Sequence, residues 1–311
     1  MKVIDNWLKQ LHEEVGSDLF LTVDAPPCIK VHGKIKPIST DLLTAEKSRE
    51  IVFSVMSERQ KEQFRNTQEL QFAYSLGPDV RYRMSAFVQQ GLTGMVCRRI
   101  ETRIPGFEEL GCPDVMADLS LEKRGIVLFV GATGTGKSTS MAAMVGYRNR
   151  RMTGHIITIE DPIEYVHMHG KSLITQREVG IDTESFEVAL RNTLRQAPDV
   201  IMIGEIRDME TAEMAIQAAL TGHLVLSTLH TNDAPSAVTR MLDIGVPPYL
   251  LQSSILGVMA QRLVRTLCPH CKEATEISDD EWNALVKPWR SRKPDHVMRP
   301  VGCLECRNTG Y

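Results

Sequence analysis

The 311 residues contain no uninterrupted apolar run close to the roughly 20 residues that a membrane-spanning helix needs. Membrane association is therefore expected only through partners. The first stretch, MKVIDNWLKQLHEEVG, mixes both charge signs and has no apolar core. It does not read as a secretion signal, so a cytoplasmic location is expected. Positive charge is not in excess either. Lys and Arg number 36 against 39 Asp and Glu, for a formal net charge of −3. That balance lacks the electrostatic signature of a nucleic-acid binder, and no direct nucleic-acid partner is expected. No internal repeat and no low-complexity segment is visible. What remains is ordinary globular composition, 42% hydrophobic and 24% charged, over a length that suits roughly two domains.

Cysteine is scarce but patterned. Of seven, Cys28, Cys97 and Cys112 stand alone and read as small buried apolar residues. The other four form Cys268-Pro-His-Cys271 and Cys303-Leu-Glu-Cys306. Paired C-x-x-C units in a cytosolic chain point to a metal site rather than a disulfide framework. Four thiolates from two such knuckles make a closed tetrahedral Zn²⁺ site, a staple for the fold. Cys268, Cys271, Cys303 and Cys306 are the expected ligands, with His270 a bystander. The knuckles lie further apart than in the commonest zinc ribbon, which a looped insertion accommodates. Redox dithiols are the alternative.

The pattern divides the chain. Asp5 to Val15 reads as an amphipathic helix and Leu19 to Val23 as a strand. Ile29 to Val31 and Lys34-Ile35 flank His32-Gly33 as a hairpin. Helices are predicted over Thr44 to Met56 and Ser57 to Phe64, the second with capping-box spacing between Ser57 and Gln60. Strand-like stretches follow at Phe72 to Leu76, Val80 to Gln89 and Thr93 to Glu101. This gives an α+β domain over 1–102. A linker rich in Pro and Gly covers 103–113. Short apolar runs then alternate with helices: Gly125 to Val130, His155 to Glu160, Val200 to Gly204 and His223 to Leu229. They read as buried parallel strands of an α/β sheet over 114–264. Ala212, Ala215, Ile216, Ala219 and Leu220 share one helical face, and Pro247 to Leu267 reads as mostly helical. The cysteine-bearing subdomain, 265–311, is expected to be incomplete.

The stretch GATGTGKS, Gly131 to Ser138, follows the first of those strands and opens a helix. Strand, glycine-rich loop and helix is the context that G-x-x-x-x-G-K-[ST] requires. The glycines leave room for successive backbone N–H groups to face phosphate oxygens, and the helix N-terminus adds positive potential. Expected nucleotide contacts are Thr133, Gly134, Thr135, Gly136, Lys137, Ser138 and Thr139. Lys137 would reach the β- and γ-phosphates of ATP, and the Ser138 hydroxyl would bind Mg²⁺.

Hydrolysis further needs a group that orients the attacking water. The run Ile156-Ile-Thr-Ile-Glu160-Asp161-Pro162-Ile163-Glu164 is a strand ending in three carboxylates. Ligands of open α/β sheets sit at such carboxyl ends. Glu164, on a turn beyond Pro162, can point into the site. Glu160 and Asp161 could instead cap the sheet or hold the loop. A second strand runs from Asp199 to Gly204 and ends in Glu205, which matches the role of a carboxylate holding Mg²⁺ through water. The intervening Gly204 departs from the usual form of that motif. His223 and His230 flank the strand Leu224 to Leu229. His230 could sense a γ-phosphate, while His223 could equally serve packing.

The set GATGTGKST, ITIEDPIEY, GEIRDMET and TGHLVLSTLHTND, in this order, resembles the secretion ATPase superfamily of pilus retraction, pilus assembly and type II secretion motors. The resemblance covers almost the whole chain. It implies a hexameric ATPase with a PAS-like N-terminal domain and a RecA-like C-terminal domain. It implies Glu164 as catalytic base, Glu205 in the Walker B position, and His223 and His230 in a histidine box. It also implies that Arg83 and Arg98 of the N-terminal domain contact the γ-phosphate. Without it, both would read as exposed strand arginines. Up to about residue 205 the chain is similar to PilT/PilU-type retraction ATPases. From about 208 on, cysteines included, it is similar to PilB/GspE-type assembly and secretion ATPases.

The expected function is a homo-hexameric motor coupling Mg-ATP hydrolysis to type IV pilus retraction, and so to twitching motility. It would work on an inner-membrane platform protein from the cytoplasmic side. Alternatives are an assembly or secretion motor, a RecA-like nucleic-acid translocase and a non-hydrolysing ATP-binding regulator.

Overall fold

A computed structural model of the chain describes every residue except Met1, Pro78, Asp79, Glu101 and Thr102. The expected domain boundary at Thr102 thus lies outside the described residues. The chain divides into two compact units, Met1–Gln261 and Arg262–Tyr311.

The first half of the larger unit runs α1 (Val3–Glu13), β1 (Asp18–Leu21), β2 (Cys28–Val31), β3 (Lys34–Pro37), α2 (Ala45–Ser54), α3 (Glu58–Thr67), β4 (Glu69–Ser75), β5 (Arg81–Gln89) and β6 (Leu92–Ile100). Helix α1 buries Ile4, Leu8 and Leu11 at helical spacing. His32 and Gly33 both take positive φ, 50° and 79°, as a two-residue hairpin turn between twisted strands requires. Ser57 and Gln60 form the capping box that starts α3. The six strands make an antiparallel sheet in the order β3-β2-β1-β6-β5-β4. One face packs on the helices through Leu8, Val52, Tyr82, Met84, Met95 and Cys97. Because β5 alternates, Tyr82, Met84 and Ala86 are buried there, while Arg81, Arg83 and Ser85 leave by the other face.

The second half runs α4 (Phe107–Leu110), α5 (Val115–Leu121), β7 (Gly125–Val130), α6 (Lys137–Arg151), β8 (Gly154–Glu160), β9 (Ser172–Glu178), α7 (Phe186–Thr193), β10 (Val200–Ile203), α8 (Met209–Leu220), β11 (Leu224–Leu229), α9 (Ala234–Ile244), α10 (Pro248–Ser254) and β12 (Ile255–Ala260). Its sheet is wholly parallel, ordered β12-β7-β11-β10-β8-β9. Strands β7, β10 and β11 are buried along their whole length, as a sheet covered on both faces demands. Ile126, Leu128 and Val130 pack with α8 on one face. Val127 and Phe129 pack with Met141 and Met144 of α6 on the other.

Three expectations require correction. Pro247 to Leu267 is not mostly helical: α10 ends at Ser254, and Ile255–Ala260 pairs with β7 as an edge strand. The open edge of β7 offers backbone groups that must be satisfied, and Ile255 and Val258 can also pack on the core there. A second edge strand, β9, was not expected. Its Ser172 and Ile174 are buried while Leu173 and Thr175 are exposed, too short an alternation to stand out. On α8, Ala212, Ala215, Ile216 and Ala219 are buried, but Leu220 at its end is 39% exposed.

The smaller unit contains β13 (Glu273–Thr275), α11 (Asp279–Val286) and β14 (Val297–Arg299). The two strands pair antiparallel, and a Ser278–Glu281 capping box starts α11. Cys268 is its one fully buried apolar side chain. Among the described residues of the chain, no helix is long and apolar enough to cross a membrane.

Candidate active site

The phosphate loop begins where the buried β7 ends. Gly131, Gly134 and Gly136 have φ of 145°, 78° and 87°, values that L side chains rarely adopt. Gly136 caps α6, whose first turn carries no acidic residue. Potential at this helix N-terminus is therefore positive and uncompensated on the helix itself. Lys137 is buried, and its Nζ donates to Gly131 O (2.8 Å) and Ala132 O (2.9 Å). Burial lowers its pKa, while the fields of Glu164 and Glu205 oppose that shift. Thr135 Oγ1 donates to Ala132 O at 2.8 Å. Ser138 and Thr139 follow in the first helical turn, with Thr139 Oγ1 2.9 Å from the Tyr165 hydroxyl.

At the end of β8 the three carboxylates separate into different environments. Glu160 is buried and accepts from Thr158 Oγ1 (2.6 Å), Gln176 Nε2 (3.1 Å) and Glu164 N (3.4 Å). Burial pushes its pKa up to about 7, against the pull of those donors. Glu178, at the end of β9, is also buried and accepts from Ile163 N at 3.1 Å. Buried carboxylates thus hold the turn from within. Asp161 and Glu164 are exposed, and the Glu164 field reaches both Lys137 and Arg83.

Glu205, just beyond β10, pairs with Arg207 and lies 3.3 Å from His230 Nε2. Arg207, in turn, has its pKa raised by Glu205. The preceding Gly204 is locked to both neighbouring strands: its N–H donates to Ile159 O (2.8 Å) and its carbonyl accepts from Thr228 Oγ1 (2.8 Å). Leu229 pairs with Val130, so His230 emerges beside the loop. His223 sits at the other end of β11, beside Gly125 rather than Gly131. Its Nδ1 lies 2.9 Å from Ala218 O and 3.3 Å from Thr221 Oγ1, at the C-terminal turn of α8. The two histidines are therefore separated by the whole strand, and His223 is not among the groups at the phosphate loop.

Arg83 and Arg98 stand opposite each other on β5 and β6. Arg98 Nε donates to the buried Asp18 (2.9 Å). Arg83 is half-buried, and its Nε has no hydrogen-bond partner among the described residues. Burial depresses its pKa, opposed by Glu178, Glu164 and Asp161. A polar cavity of about 530 Å³ lies between this sheet and the turn, lined by Gln71, Ser85 and Phe87 on one side and Asp161, Glu178 and Ile181 on the other.

In the smaller unit, the sulfurs of Cys268, Cys271, Cys303 and Cys306 lie within 4.8 Å of one another. Cys268–Cys303 is 3.9 Å, Cys271–Cys306 3.7 Å and Cys303–Cys306 3.7 Å. Tetrahedral thiolates at a metal–sulfur distance of about 2.3 Å would be about 3.8 Å apart. The Cys306 thiol is drawn down to about 6: burial opposes this, but the amides of Cys303 and Gly310 outweigh it. The cluster could hold a metal ion.

Sequence reasoning named Lys137, Ser138, Glu164, Glu205 and His230, which the fold gathers at one end of the parallel sheet. It missed Tyr165, Gln176, Glu178 and Arg207. Tyr165 and Arg207 are only one and two residues from Glu164 and Glu205; Gln176 and Glu178 lie on the unrecognised β9.

The family described as Type II/IV secretion system protein matches across residues 1–311. The chain is 53% identical over 301 residues to the Type IV pilus ATPase PilU of Pseudomonas aeruginosa, covering 94% of this chain and 78% of that one. It is 39% identical over 258 residues to the Type IV pilus retractation ATPase PilT of the same organism, covering 81% and 75%. The crystal structure of the pilus retraction motor PilT with bound ADP superposes with a TM-score of 0.80 at 41% identity, covering 85% of this chain and 79% of that one.

Proposed function

The chain belongs to the type II/IV secretion system protein family, and from that premise we propose that it is a hexameric motor ATPase driving type IV pilus retraction. The observation carrying this reading is the meeting of a cation, two carboxylates and an imidazole around one glycine loop: Lys137, Glu164, Glu205 and His230. Phosphoryl transfer asks a protein mainly for positioning and charge. The loop suits a triphosphate: three glycines at positive φ leave its N–H groups uncovered, and a Cβ on Gly134 would meet nothing within 4 Å. Lys137 exchanges its bonds to the loop carbonyls for the β- and γ-phosphates. Thr133 to Gly136 and Thr139 line the nucleotide. Ser138 and Glu205 would hold Mg²⁺, which when bound would supply positive charge beside the phosphates. Glu164 orients the attacking water, and His230 reads the γ-phosphate. Arg83 and Arg98 bring further positive charge when the N-terminal sheet closes.

Residues 1–102 are read as a PAS-like domain, 103–113 as the linker and 114–264 as a RecA-like domain. Residues 265–311 form a subdomain holding structural Zn²⁺ through its four cysteines. Work is delivered to an inner-membrane platform protein, with the motor peripheral to the membrane. Similarity to the PilU and PilT proteins covers 94% and 81% of this chain and supports retraction over assembly or secretion.

Two measurements test this. Lys137→Ala and Glu164→Gln are each expected to abolish phosphate release, with Glu164→Gln still binding ATP. Normal hydrolysis by Glu164→Gln would remove the base assignment. Expression in a strain lacking its retraction motor should restore twitching. Restoration of piliation or secretion alone, in strains lacking those motors, overturns the direction of action.

A further inference from the structure

The turn carrying Glu164 is anchored by side chains to which the mechanism above gives no role. Gln176 on β9 clasps it at three points. Its amide nitrogen donates to Glu160 Oε1 (3.1 Å) and to Tyr165 O (2.8 Å), and its oxygen accepts from His167 N (2.7 Å). Glu178 adds the bond to Ile163 N. These contacts fix the turn to the sheet. One contact instead fixes it to the phosphate loop: the Tyr165 hydroxyl, 2.9 Å from Thr139 Oγ1. Thr139 lies directly after Ser138, and Tyr165 directly after Glu164.

We propose that Tyr165 is a positioning residue, whose bond to Thr139 sets the distance between the Glu164 carboxylate and the phosphate held by the loop. The proposal rests on Glu164 acting as the base. The Glu164 side chain is exposed, so its placement depends on its backbone. The bond that its own N–H makes, to Glu160, is the longest of the set at 3.4 Å. Removing the tyrosine hydroxyl leaves the anchors to Gln176 and Glu178 intact, so the turn still folds. It is then free to rock relative to α6. A displacement on the order of 1 Å at a reacting group can cost about a hundredfold in rate.

The test uses Tyr165→Phe in the full chain, with ATPase kinetics and thermal melting. The melting temperature should be unchanged and KM for Mg-ATP should stay within about twofold, while kcat falls by about tenfold to a hundredfold. Thr139→Val removes the other end of the same bond. If the two hydroxyls act as a pair, the double variant has a kcat no lower than the worse single variant. Wild-type kcat in Tyr165→Phe, losses that multiply in the double variant, or a rise in KM with kcat unchanged overturns the role. Glu164→Gln is assayed alongside. If it is inert while Tyr165→Phe is fully active, positioning alone falls. If it hydrolyses normally, the base assignment falls.

Discussion

Glu160 sets two physical effects against each other, and their balance can be measured. The carboxyl is buried, which favours the neutral form, yet three donors face it, which favours the charged form. Burial wins, and its pKa rises from 4.5 to about 7. At about 1.4 kcal/mol per pH unit, the difference corresponds to ~3 kcal/mol. The sign follows from proton counting. The unfolded chain releases this proton near 4.5, whereas the folded chain keeps it to about 7. Between those values folding takes up a proton, so stability falls as pH rises, and the loss is complete above about 7. Glu160→Gln cannot ionise and escapes this loss. Its amide carries a fixed cost for presenting N–H groups to other donors, so the slope with pH is the readout, not the offset. Urea denaturation of both proteins at one concentration, from about pH 5 to about pH 8, should show wild type losing about 2–3 kcal/mol relative to the variant. A flat difference, or wild type gaining on the variant as pH rises, would refute the dominance of burial. The second outcome would mean that the Thr158, Gln176 and Glu164 donors prevail.

If the four cysteines hold zinc as proposed, its removal should destabilise the smaller unit strongly, because the one buried apolar side chain there is Cys268, itself a proposed ligand. A chelator that leaves the melting temperature unchanged refutes the structural metal. Gly154→Ala should cost about 2–3 kcal/mol: φ is 152°, and a Cβ would lie 2.5 Å from Asp199 Oδ2, displacing the carboxylate that accepts from His155 N. A melting curve matching wild type would show that Asp199 moves at no cost.

Whatever rests on local chemistry was legible in the sequence. The phosphate loop reads directly because glycine at positive φ, Lys137 and Ser138 are needed within a few residues of one another, at a strand-to-helix junction. The cysteine knuckles read for the same reason: two C-x-x-C pairs declare a four-sulfur cluster wherever the chain brings them together. The buried strands β7 and β10 are apolar throughout and announce themselves, and β11 is apolar apart from Ser227 and Thr228. Other features belonged to tertiary structure. Edge strands β9 and β12 exist because β8 and β7 offer them hydrogen-bonding partners, a condition that the sequence of either segment does not state. His223 and His230 look equivalent as flanks of one strand, and only the direction of β11 puts one beside Gly131 and the other beside Gly125. The carboxylates at the end of β8 also look alike in sequence. Folding buries Glu160 among donors as an anchor and leaves Glu164 exposed within electrostatic reach of Lys137 and Arg83. Residue type and spacing fix what a side chain can do. Burial and the neighbours that distant segments supply decide which of those things it does.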